Sequence, residues 1–448
     1  MGKNFENVKG TYDYLPEKQI IRERIKAILQ PIFVKYGFAP IETPIICTYD
    51  LLASKYSDGA DILNEMYKLS DQGKRRLGLR YDLTITFSKL VSSNPNITLL
   101  FKRYEIGRVY RDGPVKLGRN REFTQCDVDV VGVKSMMAEA EYMMMTNEAY
   151  QELGLDVEIE FNNRKLLSGI IISVLGEISD ERIRKAIMLI NKFAKITREE
   201  LIEEFNKLDI SSEQFDELMN YFSLDYASLK SKLTNSTNEL IIQGLAEIDE
   251  LYMYLEGTNA VKRMKFAPYL ARGIDVYTGT VWEVFLKDRK IAGQDFNLSI
   301  GGGGRYDKII TTFVDDGKEY PAVGMSFGLD VIYEILVLKK CRKDGFYCWR
   351  FCDSVWNSKR IFWICFFFAK CRVESRNRQK CQKAQKEYDL CKQNEHSFCS
   401  YSWRRWNRKK NCLGQKYDHR CKHRVLYWRC TGNQGLCASV KVQFNEIT

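Results

Sequence analysis

The chain begins with apolar residues at helical spacing and continues with stretches in which apolar and polar residues alternate. The period near 3.6 predicts an amphipathic helix over 17–36, and it is carried by Ile21, Ile25, Ile28, Leu29, Ile32 and Phe33. Strand-like stretches follow, with Gly, Asp or Asn at their joints, at 39–48, 66–70, 76–80, 104–111, 122–132 and 156–161. Helical spacing returns over 136–153.

Residues 176–256 are different in character, since they are charged, poor in glycine and helical in period throughout. Strands are predicted again at 266–287 and 296–300, before the run GGGGRYD and a helix over about 327–339. This order fits a mostly antiparallel sheet flanked by helices better than a βαβ alternation. We predict an α+β fold whose main domain has a first part at 1–175, a helical insertion at 176–258 and a second part at 259–340.

The charge of the chain is unevenly distributed. There are 69 Lys and Arg against 58 Asp and Glu, a net charge of +11. After Lys340 there are 24 basic and 8 acidic residues, which leaves 45 basic and 50 acidic residues before it. Twelve of the 14 Cys, six of the seven Trp and all three His also lie beyond Lys340, whereas all eight Pro precede it. The last 108 residues, 341–448, are therefore a separate segment.

This Cys-, Trp- and Arg-rich tail is aberrant, and we interpret it as the product of a shifted reading frame. Codons that begin with G are common in genes. When the reading frame shifts so that this G becomes the second base, the codons encode Cys, Trp, Arg, Ser or Gly. Those five types make up 41 of the 108 residues. No CxxC pair indicates zinc, and a disulfide scaffold does not suit a cytosolic protein. A basic, aromatic nucleic-acid-binding tail is the alternative. We expect the tail to be disordered.

The N-terminal residues MGKNFENVKG lack the apolar segment of a signal peptide. The longest apolar run, 361–369, is far too short to span a bilayer. We therefore expect a cytoplasmic protein with no membrane partner.

A basic hairpin over 101–132, FKRYEIGRVYRDGPVKLGRNREFTQCDVDVVG, carries the first candidate chemistry. Seven basic residues lie on its two strands and connecting loop: Lys102, Arg103, Arg108, Arg111, Lys116, Arg119 and Arg121. Guanidinium groups match phosphate oxygens two at a time, so the hairpin is suited to binding polyphosphate. A solvated basic hairpin would have the same composition.

Two further segments carry polar groups among apolar or glycine residues. In LARGIDVYTGTVWE, 270–283, Arg272 and Asp275 fall within a predicted strand, where a buried charge is costly unless paired. The alternative is a structural Arg–Asp pair. The glycines at 301–304 allow close approach of a ligand to the backbone, but they equally suit a tight turn.

Six segments together resemble the histidyl-tRNA synthetase family, a class II aminoacyl-tRNA synthetase family, in order and in spacing. They are KGTYDYLP (9–16), YGFAPIETP (36–44), LRYDLT (79–84), the basic hairpin, LARGIDVYTGT (270–280) and GGGRYD (302–307). The resemblance covers about 1–338. It implies a class II catalytic sheet of six or seven antiparallel strands, ATP and Mg²⁺ as cofactors, and L-histidine and tRNA(His) as partners. It also implies a homodimer formed through the first motif, which ends at Pro44.

The resemblance also implies roles for individual residues. Arg111 would bind the α-phosphate and the histidine carboxylate, Arg119 the γ-phosphate, and Arg272 the α-phosphate from the opposite side. The α-ammonium of histidine would be bound by Asp82 and Thr84, and the imidazole by Gln125, Asp129 and Tyr277. Without the resemblance, the preferred interpretation of Asp82 and Asp129 would be strand-end carboxylates that accept hydrogen bonds from backbone amides.

Three departures from the family pattern separate this chain from its typical members. Val331 stands where the third motif usually has an ATP-stacking arginine, and Val276 replaces one of two paired tyrosines. Nothing after Lys340 resembles the family's anticodon-binding domain. The main rival function is that of a non-catalytic, histidine-sensing regulatory subunit of ATP phosphoribosyltransferase. Retention of Arg111, Arg119 and Arg272 favours the enzyme.

Overall fold

A computed structural model describes residues 5–54, 61–116, 118–176, 179–190, 197–272, 276–291, 293–340, 425–429 and 439–443. The chain divides into two compact units, Met1–Asp344 and Gly345–Thr448. None of the described helices is both long and apolar enough to cross a membrane.

The first unit contains thirteen described strands. They are β1 (Ala39–Pro40), β2 (Ile46–Thr48), β3 (Lys68–Ser70), β4 (Arg76–Leu79), β5 (Phe101–Tyr110), β6 (Glu122–Val131), β7 (Val157–Asn163), β8 (Met264–Phe266), β9 (Thr280–Leu286), β10 (Lys290–Ile291), β11 (Gln294–Asp295), β12 (Gly301–Arg305) and β13 (Ala322–Gly328).

Thirteen α-helices are described in the same unit. They are α1 (Pro16–Lys35), α2 (Tyr49–Ala53), α3 (Asp61–Asn64), α4 (Thr84–Ser92), α5 (Met137–Glu152), α6 (Arg164–Leu175), α7 (Asp180–Ile190), α8 (Arg198–Asn206), α9 (Ser212–Phe222), α10 (Tyr226–Leu233), α11 (Glu239–Leu255), α12 (Asp307–Val314) and α13 (Leu329–Lys340). A 3₁₀ turn, Val261–Arg263, precedes β8.

Eight strands form the main sheet, in the order β1-β5-β6-β13-β12-β9-β7-β8. The six central strands are antiparallel to their neighbours, and the two short edge strands β1 and β8 pair in parallel. The predicted α+β fold with a large, mostly antiparallel sheet is confirmed. The predicted count of six or seven strands omitted the parallel edges.

Alternation along β6 explains how this sheet has one apolar and one polar face. Cys126, Val128 and Val130 point into the main hydrophobic core, where each is at most 1% exposed. Successive side chains of a strand point to opposite faces, so Gln125, Asp127 and Asp129 lie on the other side. That other side of the sheet is called the site face below.

The glycine run forms a strand. Gly301–Arg305 is the central strand β12, so the tight-turn alternative is wrong, and the strand predicted over 296–300 is not formed. A β-carbon on Gly303 would lie 2.1 Å from the carbonyl oxygen of Gly324, and one on Gly301 would lie 2.5 Å from Oη of Tyr150. Glycine is required here because neighbouring strands and core side chains occupy the space of a side chain.

The strand predicted over 266–287 is also wrong in its middle. Only Met264–Phe266 and Thr280–Leu286 are strands, and the described residues between them, including Arg272, lie outside any strand. The strand predicted over 39–48 is likewise two short strands, β1 and β2.

Side-chain caps explain why the charged stretch after 176 forms several separate helices. Thr197 and Glu200 form a capping box at the start of α8, and Ser211 and Gln214 form another at α9. Asp225 caps α10. The boundaries predicted at 176 and 258 stay predictions, since Met1–Asp344 is one compact unit.

In the second unit the structure describes two strands, β14 (Val425–Arg429) and β15 (Ser439–Gln443), which pair antiparallel with Val425 opposite Gln443. The remaining residues of the predicted disordered tail lie outside the described residues, so that expectation stays a prediction.

Candidate active site

Polar side chains from neighbouring strands meet on the site face. Glu105 of β5 lies opposite Asp127 of β6, which lies opposite Ser326 of β13. Two residues along, Arg103 lies opposite Asp129. All of these except Ser326 are at most 4% exposed. The register therefore collects charged groups in a largely dry environment.

Two buried ion pairs stabilise this part of the site face. Nη1 of Arg80 lies 2.8 Å from Oε1 of Glu105, and Nη2 of Arg103 lies 2.6 Å from Oδ2 of Asp129. The hydroxyl of Tyr306 donates to Oδ1 of Asp129. Pairing and hydrogen bonding offset the cost of removing these charges from water. Asp129, a predicted reader of imidazole, is thus also a structural carboxylate.

Asp82 and Thr84 lie where the chain enters α4. Oδ1 of Asp82 accepts hydrogen bonds from the backbone N–H groups of Thr84 at 3.1 Å and Ile85 at 3.0 Å. This carboxylate is 9% exposed. Asp82 therefore orients the first turn of α4 with one oxygen, as the strand-end alternative expects.

Gln125 carries a buried acceptor without a partner. Its Nε2 donates to the hydroxyl of Ser326 at 3.1 Å, but its Oε1 has no hydrogen-bond partner among the described residues. Buried acceptors are normally satisfied, so this oxygen is positioned to accept from a bound molecule.

Arg111 is held by aromatic rings. Its guanidinium carbon lies 4.2 Å from the ring centroid of Tyr81 and 4.9 Å from that of Phe123. Its Nε is buried and has no hydrogen-bond partner within the part of the chain that the structure describes. Cation–π contacts fix the guanidinium without neutralising it, which leaves its charge available for an anion.

Arg272 lies against the glycine strand. Its Nε lies 2.9 Å from Oε1 of Glu283, and its Nη1 approaches the carbonyl oxygen of Trp282 at 3.5 Å. A β-carbon on Gly302 would lie 2.5 Å from Nη1 of Arg272. Glu283 is thus the ion-pair partner of Arg272 among the described residues. Asp275 lies outside them, so the Arg–Asp alternative stays a prediction.

Tyr277 lies against the same glycine strand, beside Gly304. A β-carbon on Gly304 would lie 2.7 Å from Cδ1 of Tyr277. Gly302 and Gly304 are two residues apart and therefore share a face. The glycines thus provide room for Arg272 and Tyr277. Gly302 lies opposite Ser326, which lies opposite Asp127, so two strand spacings, about 10 Å, separate Gly302 from Asp127.

Arg119 lies on the loop of the basic hairpin, and its side chain is 48% exposed. Its Nη2 lies 2.7 Å from Oε1 of Glu65. The other oxygen of Glu65 accepts a hydrogen bond from the hydroxyl of Tyr81 at 3.2 Å, and the ring of Tyr81 supports Arg111. Glu65 therefore connects the two arginines that were predicted to bind phosphate.

Val331, the departure in the third motif, packs beside the same loop. It is partly buried against the main core, and a β-carbon on Gly118 would lie 3.4 Å from its Cγ2. An apolar contact between the loop and α13 stands at the position of the family's arginine.

Sequence reasoning missed four residues of the site, Asp127, Glu283, Glu65 and Tyr306. A signal for Asp127 was present, because the alternation in QCDVDV puts it on the same face as Gln125 and Asp129. Burial raises the pKa of Asp127 to about 7; the nearby Arg103 lowers it and the nearby Asp129 raises it. Glu283 and Tyr306 lie within the segments 270–283 and 302–307 but were not singled out there, and Glu65 comes from a distant segment without a local signal.

Comparisons with known proteins agree with this fold. The sequence model of the family described as histidyl-tRNA synthetase matches residues 10–332. A protein of Bacillus cereus (strain ATCC 10987), histidine–tRNA ligase 1, is 49% identical over 339 residues, which are 75% of this chain and 76% of that protein. The histidine–tRNA ligase of Danio rerio is 33% identical over 357 residues, 75% of this chain and 68% of that protein.

A crystal structure of histidyl-tRNA synthetase from Nostoc sp. PCC 7120 has a TM-score of 0.65 and 27% identity, and the match covers 76% of this chain and 77% of that one. The chain therefore belongs to the histidyl-tRNA synthetase family.

Proposed function

We propose that the protein is a histidine–tRNA ligase, which activates histidine with ATP to histidyl-adenylate and transfers the histidyl group to tRNA(His). The observation that carries the proposal is a site face with two differently supported arginines, Arg111 on aromatic rings and Arg272 on the glycine strand, beside buried carboxylates. Curated relatives at 49% identity are named histidine–tRNA ligases.

Activation requires a carboxylate oxygen to attack the α-phosphate, and negative charge grows on the phosphate oxygens. Fixed positive charge lowers the barrier because it needs no reorganisation during the reaction. Arg111 would bind the α-phosphate and the histidine carboxylate, and Arg272 would bind the α-phosphate from the other side. Their supports, aromatic rings and Glu283, hold each guanidinium before the ligands arrive.

Arg119 would bind the γ-phosphate. In the ligand-free structure it pairs with Glu65 at 2.7 Å, so it would exchange this carboxylate for phosphate when ATP binds. The exchange is inexpensive because the pair is half exposed, and exposed ion pairs contribute about 0–1 kcal/mol.

The amino-acid site comprises Asp82, Thr84, Gln125, Asp129 and Tyr277. Asp82 and Thr84 would bind the α-ammonium. Gln125, Asp129 and Tyr277 would bind the imidazole, and the unpaired Oε1 of Gln125 is an acceptor for a ligand N–H. A site that hydrogen-bonds a polar side chain rejects analogues without it by roughly 10⁴-fold or more, so no editing site is needed.

The residues present fit ATP, since Arg111 has a buried Nε without a hydrogen-bond partner among the described residues, and Tyr81 and Glu65 connect it to Arg119. Mg²⁺ would arrive with the nucleotide and neutralise part of its phosphate charge. The described residues contain no group of three or more His, Cys, Asp or Glu that could hold a metal ion. We therefore assign Mg²⁺ no protein cage, in keeping with its preference for water and phosphate ligands.

A homodimer and a cytoplasmic location are part of the proposal. Ile45 and Ile46 follow the first motif and are 39% and 58% exposed. Exposed aliphatic residues next to this motif are suited to a subunit interface. The rival, a regulatory subunit, would not need three arginines around a nucleotide.

Transfer to tRNA should be weak in the chain as written, because residues 341–448 do not resemble an anticodon-binding domain. We expect the chain to charge tRNA(His) poorly and with little dependence on the anticodon. The tail, with 24 basic and 8 acidic residues, should bind RNA without sequence preference and with steep salt sensitivity, since neutralising phosphates releases counterions.

The experiment compares the full chain with a version whose reading frame is restored beyond codon 340. Aminoacylation is measured with tRNA(His) and with the same tRNA carrying an altered anticodon. Equal, anticodon-sensitive charging by both proteins would show that residues 341–448 are a working domain.

A further inference from the structure

Asp127 is a buried carboxylate to which the proposed reaction assigns no role. It is 4% exposed, and its Oδ1 has no hydrogen-bond partner among the described residues. The hydroxyl of Ser326 hydrogen-bonds its carboxylate and accepts from Nε2 of Gln125. A chain of hydrogen bonds thus connects Asp127 to a side chain of the amino-acid site.

Charged groups face Asp127 from β5, from β6 and from the segment before α4. Arg103 and Glu105 come from β5, Asp129 from β6 itself and Asp82 from the segment before α4. Both β13 and β12 face it with uncharged residues, Ser326 and glycines. Four carboxylates, counting Asp127, therefore lie close together on this part of the site face.

The nearby cations are already engaged with other carboxylates. Arg80 pairs with Glu105 at 2.8 Å, and Arg103 pairs with Asp129 at 2.6 Å. Asp127 has no ion pair of its own within the described residues. An ionised carboxylate in such a position is unfavourable until another positive charge arrives.

We propose that Asp127 holds a proton while the amino-acid site is empty and releases it when the positively charged α-ammonium group of an amino acid binds there. The inference rests on the proposed function, because the cation is the α-ammonium group of the substrate beside Asp82. Asp127 is a positioning residue in this scheme, since its charge acts on the ammonium across the site without joining the chemistry.

The proton balance follows from charge alone. The empty site contains neutral Asp127, and the complex contains an ionised Asp127 and the ammonium, so one proton passes to the solvent. Burial, as the largest cause, raises the pKa of Asp127 to about 7 in the empty protein. A bound cation lowers that pKa. Affinity should therefore rise with pH through about 7, by roughly tenfold between about pH 6 and pH 8, and level off above.

The experiment is calorimetry of L-histidine binding to the full chain at pH 7, in two buffers with different ionisation enthalpies. The difference in heat gives the number of protons released. Asp127→Asn keeps the shape of the side chain but cannot titrate, so it should release about half a proton fewer than the wild type. Asp249→Asn, at a half-exposed surface pair with Lys230, is the matched control and should equal the wild type.

A second measurement needs no variant. In protein labelled with ¹³C at aspartate carboxyl groups, one resonance should titrate near pH 7 in the empty chain and stop titrating when histidine is saturating. Equal proton release by wild type and Asp127→Asn, or no aspartate resonance that titrates between about pH 6 and pH 8, would overturn the inference. Absence of histidine binding by the wild type would instead overturn the proposed function, and the inference with it.

Discussion

Replacing Arg272 by alanine is expected to slow histidine-dependent pyrophosphate exchange by about 10²-fold or more, the scale of a lost charge-stabilising donor. The guanidinium is fixed before substrates bind, because it pairs with Glu283 at 2.9 Å. It occupies the space beside Gly302 that a side chain would otherwise fill. Its positive charge would stabilise the growing negative charge on the α-phosphate, so its loss should lower kcat more than it raises KM.

The matched control is Arg198→Ala, which removes an arginine from a surface ion pair with Asp216 on the helical part of the same unit. That variant should retain the wild-type exchange rate. An Arg272→Ala protein that is folded and as active as this control would exclude Arg272 from the clamp on the α-phosphate.

Replacing Asp129 by alanine is expected to lower the free energy of unfolding by about 3–5 kcal/mol, because buried Arg103 would lose its close partner and keep only Glu105, at 3.9 Å. Arg103 is 0% exposed, and its Nη2 lies 2.6 Å from Asp129. The hydroxyl of Tyr306 would lose its acceptor as well. Urea unfolding followed by circular dichroism measures the change.

The surface variant Asp216→Ala is the stability control, and it should change the free energy of unfolding by less than about 1 kcal/mol. Histidine binding is compared in Asp129→Asn, which keeps the shape of the side chain. If Asp129→Ala were as stable as Asp216→Ala, the Arg103–Asp129 pair would not support the fold. Unchanged histidine binding in Asp129→Asn would restrict Asp129 to a structural role.

Periodicity predicted the long elements of this fold, because each packs one apolar face against the core. Helix α1 and the strand pair β5 and β6 agree with their predicted positions within a few residues. Periodicity failed at β12, where glycine is a poor strand former by itself. Only glycine fits in that strand, because neighbouring side chains and backbone atoms occupy the space that a larger residue would need.

The site was predictable where its residues stand in motifs. Arg111, Arg272 and Tyr277 lie in segments that resemble the histidyl-tRNA synthetase family, so the sequence alone indicated them as site residues. Their supports were not found. Glu65 reaches Arg119 from a segment far away in the sequence, and Glu283 lies in the same segment as Arg272 but meets it only because the chain folds back onto β9. The pairing of Arg103 with Asp129 depends on strand register, which the sequence does not show.

The measurement that tests the central claim most directly is ATP–pyrophosphate exchange by the full chain, with each of the twenty amino acids supplied separately. Only the site within Met1–Asp344 is needed for this half-reaction, so the result does not depend on the tail. We predict exchange with L-histidine and at least roughly 10⁴-fold less with amino acids that lack an imidazole. Exchange that is absent with histidine, or equally fast with another amino acid, would contradict the proposed function.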